Sequence, residues 1–153
     1  MIYEKQSLEP MWVERGIVVD EQGAVLLAQR AARCRDGGQW ECPGGKVAGD
    51  TWQERITGLQ REVYEETRVE TVVDPSEPLY ISRYKFPDTG RTRITEFRPA
   101  FATASCISID LSEVADAHWV PLRELSAYRD RMTPASRAAL RLYGHLLLQL
   151  YRH

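Results

Sequence analysis

Hydrophobic and polar positions along this chain switch between two periods, and the switches mark its elements. Ile17-Val18-Val19 and Ala24 to Ala28 are short continuous apolar runs separated by Asp20-Glu21-Gln22-Gly23, the pattern of two buried strands joined by a hairpin turn. The stretch from Arg30 to Gln39 breaks the pattern with Arg30, Arg33, Arg35, Gly37 and Gly38, and reads as a mobile basic loop. Trp40-Glu41-Cys42 then leads into a turn at Pro43-Gly44-Gly45. From Thr51 to Thr67 the period becomes helical: Trp52, Ile56, Leu59 and Val63 fall on one stripe expected to be buried. Strands are predicted again at Val69 to Val73, Leu79 to Phe86, Ile94 to Thr103 and His118 to Val120, with Pro87-Asp88-Thr89-Gly90 turning between the second and third of these. Thr133-Pro134 is a helix start, and Leu140, Tyr143, Leu147 and Leu150 continue it as an amphipathic C-terminal helix. The resulting order, β-β-loop-α-β-β-β-β-α, predicts an α+β fold in which a mixed sheet is packed between helices, an α/β/α sandwich.

Composition narrows this picture. At 153 residues the chain is long enough for one substantial core and too short for two, so residues 1–153 are read as a single domain in which binding and catalysis share one fold. No apolar run approaches the length of a membrane span, and Met1 to Pro10 lacks the apolar core of a secretory signal; a cytoplasmic location with no membrane partner is expected. Cys34, Cys42 and Cys106 are widely spaced, and His118, His145 and His153 are equally scattered, which suggests neither a disulfide framework nor a zinc site. A net charge of -2 without a long basic run argues against a nucleic-acid polymer as partner. Small anionic substrates fit, because a local group of arginines can serve them.

The chemistry concentrates in Arg61-Glu62-Val63-Tyr64-Glu65-Glu66. At about 100° per residue, Glu62, Glu65 and Glu66 fall within an arc of about 100° on one helix face. Like charges so arranged cost a few tenths of a kcal/mol per pair, roughly, unless a cation sits among them. Hard oxygen donors in such a group suit Mg²⁺ or Mn²⁺, ions that also bridge phosphate oxygens. A solvated acidic helix face would show the same three residues, so their company decides between the readings.

That company is Trp40-Glu41-Cys42-Pro43-Gly44-Gly45-Lys46-Val47, a loop with Gly49-Asp50, and then Arg61-Glu62-x-x-Glu65-Glu66-Thr67. The combination resembles the Nudix box, in which a glycine, five residues, a glutamate and seven residues precede Arg-Glu-apolar-x-Glu-Glu-x-Gly-apolar. Ala28-Gln29-Arg30 and Trp119-Val120-Pro121-Leu122 also look like that family, so the resemblance spans nearly the whole chain. Two departures stand out. Gly45 to Arg61 is two residues longer than the pattern, leaving Asp50, Gln53 and Glu54 as alternatives for the early box glutamate, with Asp50 preferred. Arg68 replaces the box glycine, and since a side chain in left-handed geometry costs roughly 1 kcal/mol, the helix is expected to end by another kind of turn.

The resemblance implies roles residue by residue. Glu62, Glu65 and Glu66 would hold metal, Arg61 would orient the first of them, and the backbone carbonyl of Gly44 would complete the metal shell. Some members of that family take a general base from a loop downstream of the box, and Asp110, Glu113 and Asp116 are the carboxylates near that place in this sequence. Arg30 and Lys46 are candidate phosphate contacts and Trp40 a candidate base-stacking ring, weighed against a surface ion pair for the cations and a core position for the tryptophan. The glycine segment looks most like the MutT-like branch, which implies hydrolysis of a nucleoside or deoxynucleoside triphosphate to monophosphate and pyrophosphate. Alternatives are ADP-ribose or nucleotide-sugar hydrolysis, dinucleoside polyphosphate hydrolysis, for which Tyr84 is the sole pointer, and a catalytically silent nucleotide sensor. The expected partner is a small nucleotide, and the expected state a monomer or homodimer.

Overall fold

A computed structural model of the chain describes residues 9–151. Its strands are β1 (Met11–Val19), β2 (Val25–Arg30), β3 (Trp40–Glu41), β4 (Gly44–Val47), β5 (Thr71–Val73), β6 (Tyr80–Lys85), β7 (Thr92–Ala102) and β8 (Val114–Val120). Helix α1 (Trp52–Thr67) follows β4; a 3-10 segment (Leu122–Arg131) and helix α2 (Pro134–Tyr151) close the chain. Among the described residues no helix is long and apolar enough to cross a membrane.

The centre of the sheet is β1 beside β7, parallel and in register from Met11 against Arg93 to Val19 against Phe101. On its other side β1 meets two strands in succession. β4 pairs with its first half, Trp12 to Arg15, and β2 joins only at Val19 against Val25, so the predicted hairpin closes at its turn and then splays. β2 continues instead along β8 and, briefly, β3. The chain crosses from β2 to β1 through Cys42-Pro43, where Gly16 N donates to the Pro43 carbonyl (2.8 Å). β5 and β6 share the far side of β7 in the same divided way.

Alternation of side chains across this sheet builds two cores. Ile17, Val19, Val25, Leu27, Trp40 and Phe97 pack on one face against Met132, Ala139 and Leu140 from the α2 side. Val18, Leu26 and Ala100 pack on the other against Leu59 and Val63 of α1. The sheet therefore lies between helices, as the pattern predicts. Several boundaries differ. β1 begins at Met11, because Glu14 and Arg15 are strand residues whose charges find partners inside the protein. The expected glycine turn is the start of β4, since backbone pairing with β1 holds Gly44 and Gly45 extended. Trp52 is 46% exposed, so the buried stripe of α1 starts at Ile56, and Leu150 at the end of α2 is exposed as well.

Candidate active site

Helix α1 presents the acidic segment, and its two ends are fixed locally. At the N-terminus the Thr51 hydroxyl accepts from Glu54 N and donates to the Glu54 carboxylate, both at 3.2 Å, a reciprocal cap. Asp50, Gln53 and Glu54 thus gather at the helix start, eight residues or more from Glu62, about 12 Å at 1.5 Å per residue. At the C-terminus the helix ends through Arg68 itself, in left-handed geometry (φ 60°), with its N–H on the Tyr64 carbonyl. The expected alternative turn is not used. Arg68 takes the glycine conformation, and its guanidinium lies 5.3 Å from the centre of the Tyr64 ring, a cation–π contact that offsets part of the strain.

Between these ends Glu62 and Glu66 face the two glycines of β4. The Glu66 carboxylate accepts from Gly44 N (3.2 Å). A β-carbon on Gly45 would come within 2.6 Å of Glu62 Oε2, and one on Gly44 within 2.0 Å of the Glu14 carbonyl. Gly44 also has φ 150°, so both its conformation and its close packing on β1 require glycine. Burial pushes the Glu66 carboxyl up to about 8, with Glu41 and Glu62 adding to the rise and Arg15 and Gly44 N opposing it. Burial likewise raises Glu62; the charges of Glu65 and Glu113 act in the same direction and Arg61 against them. Glu65 is turned outward, its carboxylate 3.6 Å from Arg61 Nε, while Arg61 Nη2 reaches Glu62 at 3.5 Å.

The three glutamates therefore divide two and one. Among the described residues no three acidic, histidine or cysteine side chains converge as a ready-made metal cage. Two carboxylates beside a glycine strand, Glu66 buried and Glu62 half-buried, nevertheless fit Mg²⁺, which binds through one or two carboxylates and leaves its other positions to water and phosphate. Glu62 and Glu66 would hold such an ion, with Glu65 swinging in from Arg61 and the Gly44 carbonyl alongside.

The other expected residues are placed unequally. Arg30 lies near the cluster but is engaged, Nη1 at 3.0 Å from Glu41 and Nε donating to the Arg35 carbonyl (2.6 Å). Lys46 is exposed and, by strand alternation, shares a face with Gly44 rather than with Gly45 and Glu62. Trp40 is not available for base stacking. It is 4% exposed, with its ring 5.3 Å from that of His118 and edge-on to Tyr128 at 5.1 Å, because a large apolar ring on β3 falls on the α2 face of the sheet. Tyr84 sits on β6 against Phe86 and Arg93. Of the downstream carboxylates, Asp116 pairs with His118 (2.8 Å), and hydrogen bonds from Ser112 hold Asp110 below the usual carboxylate range. Glu113 is the one whose charge bears on Glu62.

Sequence reasoning missed the layer behind the glutamates. Arg15 Nη1 bonds the Cys42 carbonyl (2.9 Å) and Glu41 (3.2 Å), so two arginines, Arg15 and Arg30, converge on one buried carboxylate next to Glu66. Ser136 of α2 accepts from Cys42 N (3.0 Å) inside the core. The only available signal was the charge pair Glu14-Arg15 set against an apolar run.

A mixed sheet between helices, with a carboxylate-bearing helix laid over a double-glycine strand, defines the Nudix class of fold. The match to the family bears this out: residues 14–143 fit the NUDIX domain, and the chain belongs to that family, whose members generally use a divalent metal to hydrolyse small nucleoside diphosphate compounds. A MutT-like protein of Streptomyces ambofaciens is 43% identical over 65 residues, 42% of this chain and 38% of that protein. The CTP pyrophosphohydrolase of Escherichia coli (strain K12) is 35% identical over 74 residues, 48% of this chain; the matched stretch spans 50% of that enzyme. Among solved structures, the MutT protein from Methanosarcina mazei Go1 superimposes with a TM-score of 0.70 at 22% identity, over 90% of this chain and 95% of the other. The solution structure of the E. coli ORF135 protein gives a TM-score of 0.68 at 24% identity, over 92% and 93%. At these identities the two structures establish the shared fold.

Proposed function

We propose that this protein hydrolyses a nucleoside or deoxynucleoside triphosphate to the monophosphate and pyrophosphate, with Mg²⁺, or Mn²⁺ in its place, as cofactor. The observation that carries the reading is the buried carboxylate of Glu66 and the half-buried one of Glu62, held against Gly44 and Gly45 with Arg61 and Glu65 beside them. The likeness to the E. coli CTP pyrophosphohydrolase supports the triphosphate substrate. A divalent ion supplies neutralisation of charge on the phosphates and activation of water. The chain's own residues do the rest. Glu62 and Glu66 fix the position of the charge, and Arg61 steadies Glu62. Glu113, on the loop before β8, accepts the proton of the attacking water as its oxygen joins phosphorus and the anhydride bond to pyrophosphate breaks. Arg30, once released from Glu41, is placed to take a phosphate.

The test is a nucleotide panel with Mg²⁺ and Mn²⁺ in which products are separated. A triphosphate should yield monophosphate and pyrophosphate without free diphosphate, and in oxygen-18 water only one product should carry label. Glu62→Gln or Glu66→Gln should lower turnover by orders of magnitude in a folded protein. Stepwise release of orthophosphate, or cleavage restricted to ADP-ribose, nucleotide sugars or dinucleoside polyphosphates, would overturn the substrate assignment. Tight nucleotide binding without cleavage would mark a silent sensor.

A further inference from the structure

The basic loop between β2 and β3 is expected from sequence to be mobile, but it is bonded through its length. Cys34 N donates to the Ala31 carbonyl, Gly37 N to Cys34, Gly38 N to Arg30 and Gln39 N to Asp36, all between 2.9 and 3.1 Å. Arg30 Nε closes on Arg35 from within. The loop is thus held by its own hydrogen bonds, and what it touches is the turn that carries Glu113.

That turn is a small unit of its own. The Asp110 side chain accepts from Ser112 N (2.9 Å), and its carbonyl accepts from Glu113 N (3.2 Å) and Val114 N (3.1 Å). Two bonds fasten it to the loop: Ala31 N donates to the Glu113 carbonyl (3.2 Å), and Arg33 Nη2 donates to the Ser112 carbonyl. The first is backbone and independent of residue type. The second is made by the side chain of an exposed arginine to the carbonyl immediately before Glu113, across 79 positions of sequence.

We propose that Arg33 is a positioning residue for Glu113, setting through the Ser112 carbonyl where the Glu113 carboxylate stands relative to Glu62. The inference rests on the reading of Glu113 as proton acceptor given above. Arg33 touches neither the acidic helix nor its glycines in this arrangement, so its effect passes through the turn. A general base acts only within hydrogen-bond reach of the proton it takes, and a displacement of about 1 Å from outside the site can cost on the order of a hundredfold in rate.

The experiment is steady-state kinetics on four full-length variants with Mg²⁺ and a triphosphate: Arg33→Met, Arg33→Lys, Glu113→Gln and the double variant Arg33→Met/Glu113→Gln, with a thermal melt of each to confirm folding. Arg33→Met should lower kcat at least tenfold, by the positioning argument, and leave KM within about twofold. Arg33→Lys, still able to donate to the carbonyl, should recover most of that loss. On the Glu113→Gln background, Arg33→Met should cost nothing further, because the group it positions is gone. If Glu113→Gln turns over normally, the assignment of Glu113 falls and this inference with it. If Glu113→Gln is impaired but Arg33→Met is not, or raises KM instead, or adds its full loss to that of Glu113→Gln, then Glu113 stands and the role of Arg33 is refuted.

Discussion

Glu66 carries two demands in one side chain. Its carboxyl lies in the interior on the Gly44 amide, where burial raises it to about 8, yet holding a cation requires it ionised. Its folded value lies above the unfolded value of 4.5, so protonation favours the folded state; that stability is fully present below about 4.5 and is lost as pH rises through about 8. Melting temperatures of the metal-free protein should therefore fall from pH 5 to pH 9, Glu66→Gln should flatten part of the slope, and Mg²⁺ should restore stability at the alkaline end. A melt that rises over this range, or ignores Glu66→Gln, contradicts the account. Arg68 is the second residue whose local chemistry can be read off directly. Arg68→Gly relieves left-handed strain but removes the contact with Tyr64 and loosens the unfolded chain, so the net change should stay within about 1 kcal/mol. Arg68→Val keeps the strain, adds branching at the β-carbon and loses the contact; denaturant titration should show it clearly less stable than either.

At the scale of elements, β4 and α2 turn out to be joined through the strand crossing. Cys42 N has Ser136 Oγ as its partner, and both groups are buried. Ser136→Ala should destabilise the protein by about 1 to 3 kcal/mol, the cost of an unpaired buried amide, and should slow turnover by loosening the segment that leads into Gly44. How much of the architecture could be read beforehand differs by element for physical reasons. α1 was legible because Ile56, Leu59 and Val63 repeat at helical spacing and the acidic residues fall beside them. α2 announced itself at Thr133-Pro134, where the helix begins. β4 was not legible, since two glycines signal a turn and only the neighbouring strand holds them extended. β1 was truncated because Glu14 and Arg15 look exterior until Arg98 and Glu41 are seen facing them. In the candidate site, box spacing marks the glutamates, and the structure brings Glu62 and Glu66 to the β4 glycines while Glu65 stays on Arg61. The interior position of Trp40 and the supports Arg15, Glu41 and Ser136 depend on contacts between distant segments and leave no local pattern.

Across the whole molecule, the α1 side of the sheet contains a buried chain of charges. Arg98 Nε meets Glu14 (2.7 Å) and its Nη2 meets Glu96 (3.1 Å), while Arg55 of α1 reaches Glu96 (2.9 Å) and lies 4.3 Å above the Trp12 ring. These bonds bind β1, β7 and α1 to one another. Arg98→Met leaves two interior carboxylates facing each other and should cost about 3 to 5 kcal/mol in chemical denaturation. Glu14→Gln should cost less, because burial already raises that carboxyl and the Gln side-chain oxygen can still accept from Arg98 Nε. The strands so joined also fix when the protein can fold. β1 finds its long partner roughly eighty positions later in the chain, so no local hairpin can pre-form the centre of the sheet. On a ribosome adding about 5 to 20 residues per second, β1 waits on the order of 4 to 16 seconds with the edge that will meet β7 open before that strand emerges. Glu14 and Arg15 spend that interval solvated, and such charges on an open strand discourage pairing with a neighbouring chain. The same two side chains that later find their partners inside the fold are, before it forms, what keeps the unfinished strand from the wrong partner.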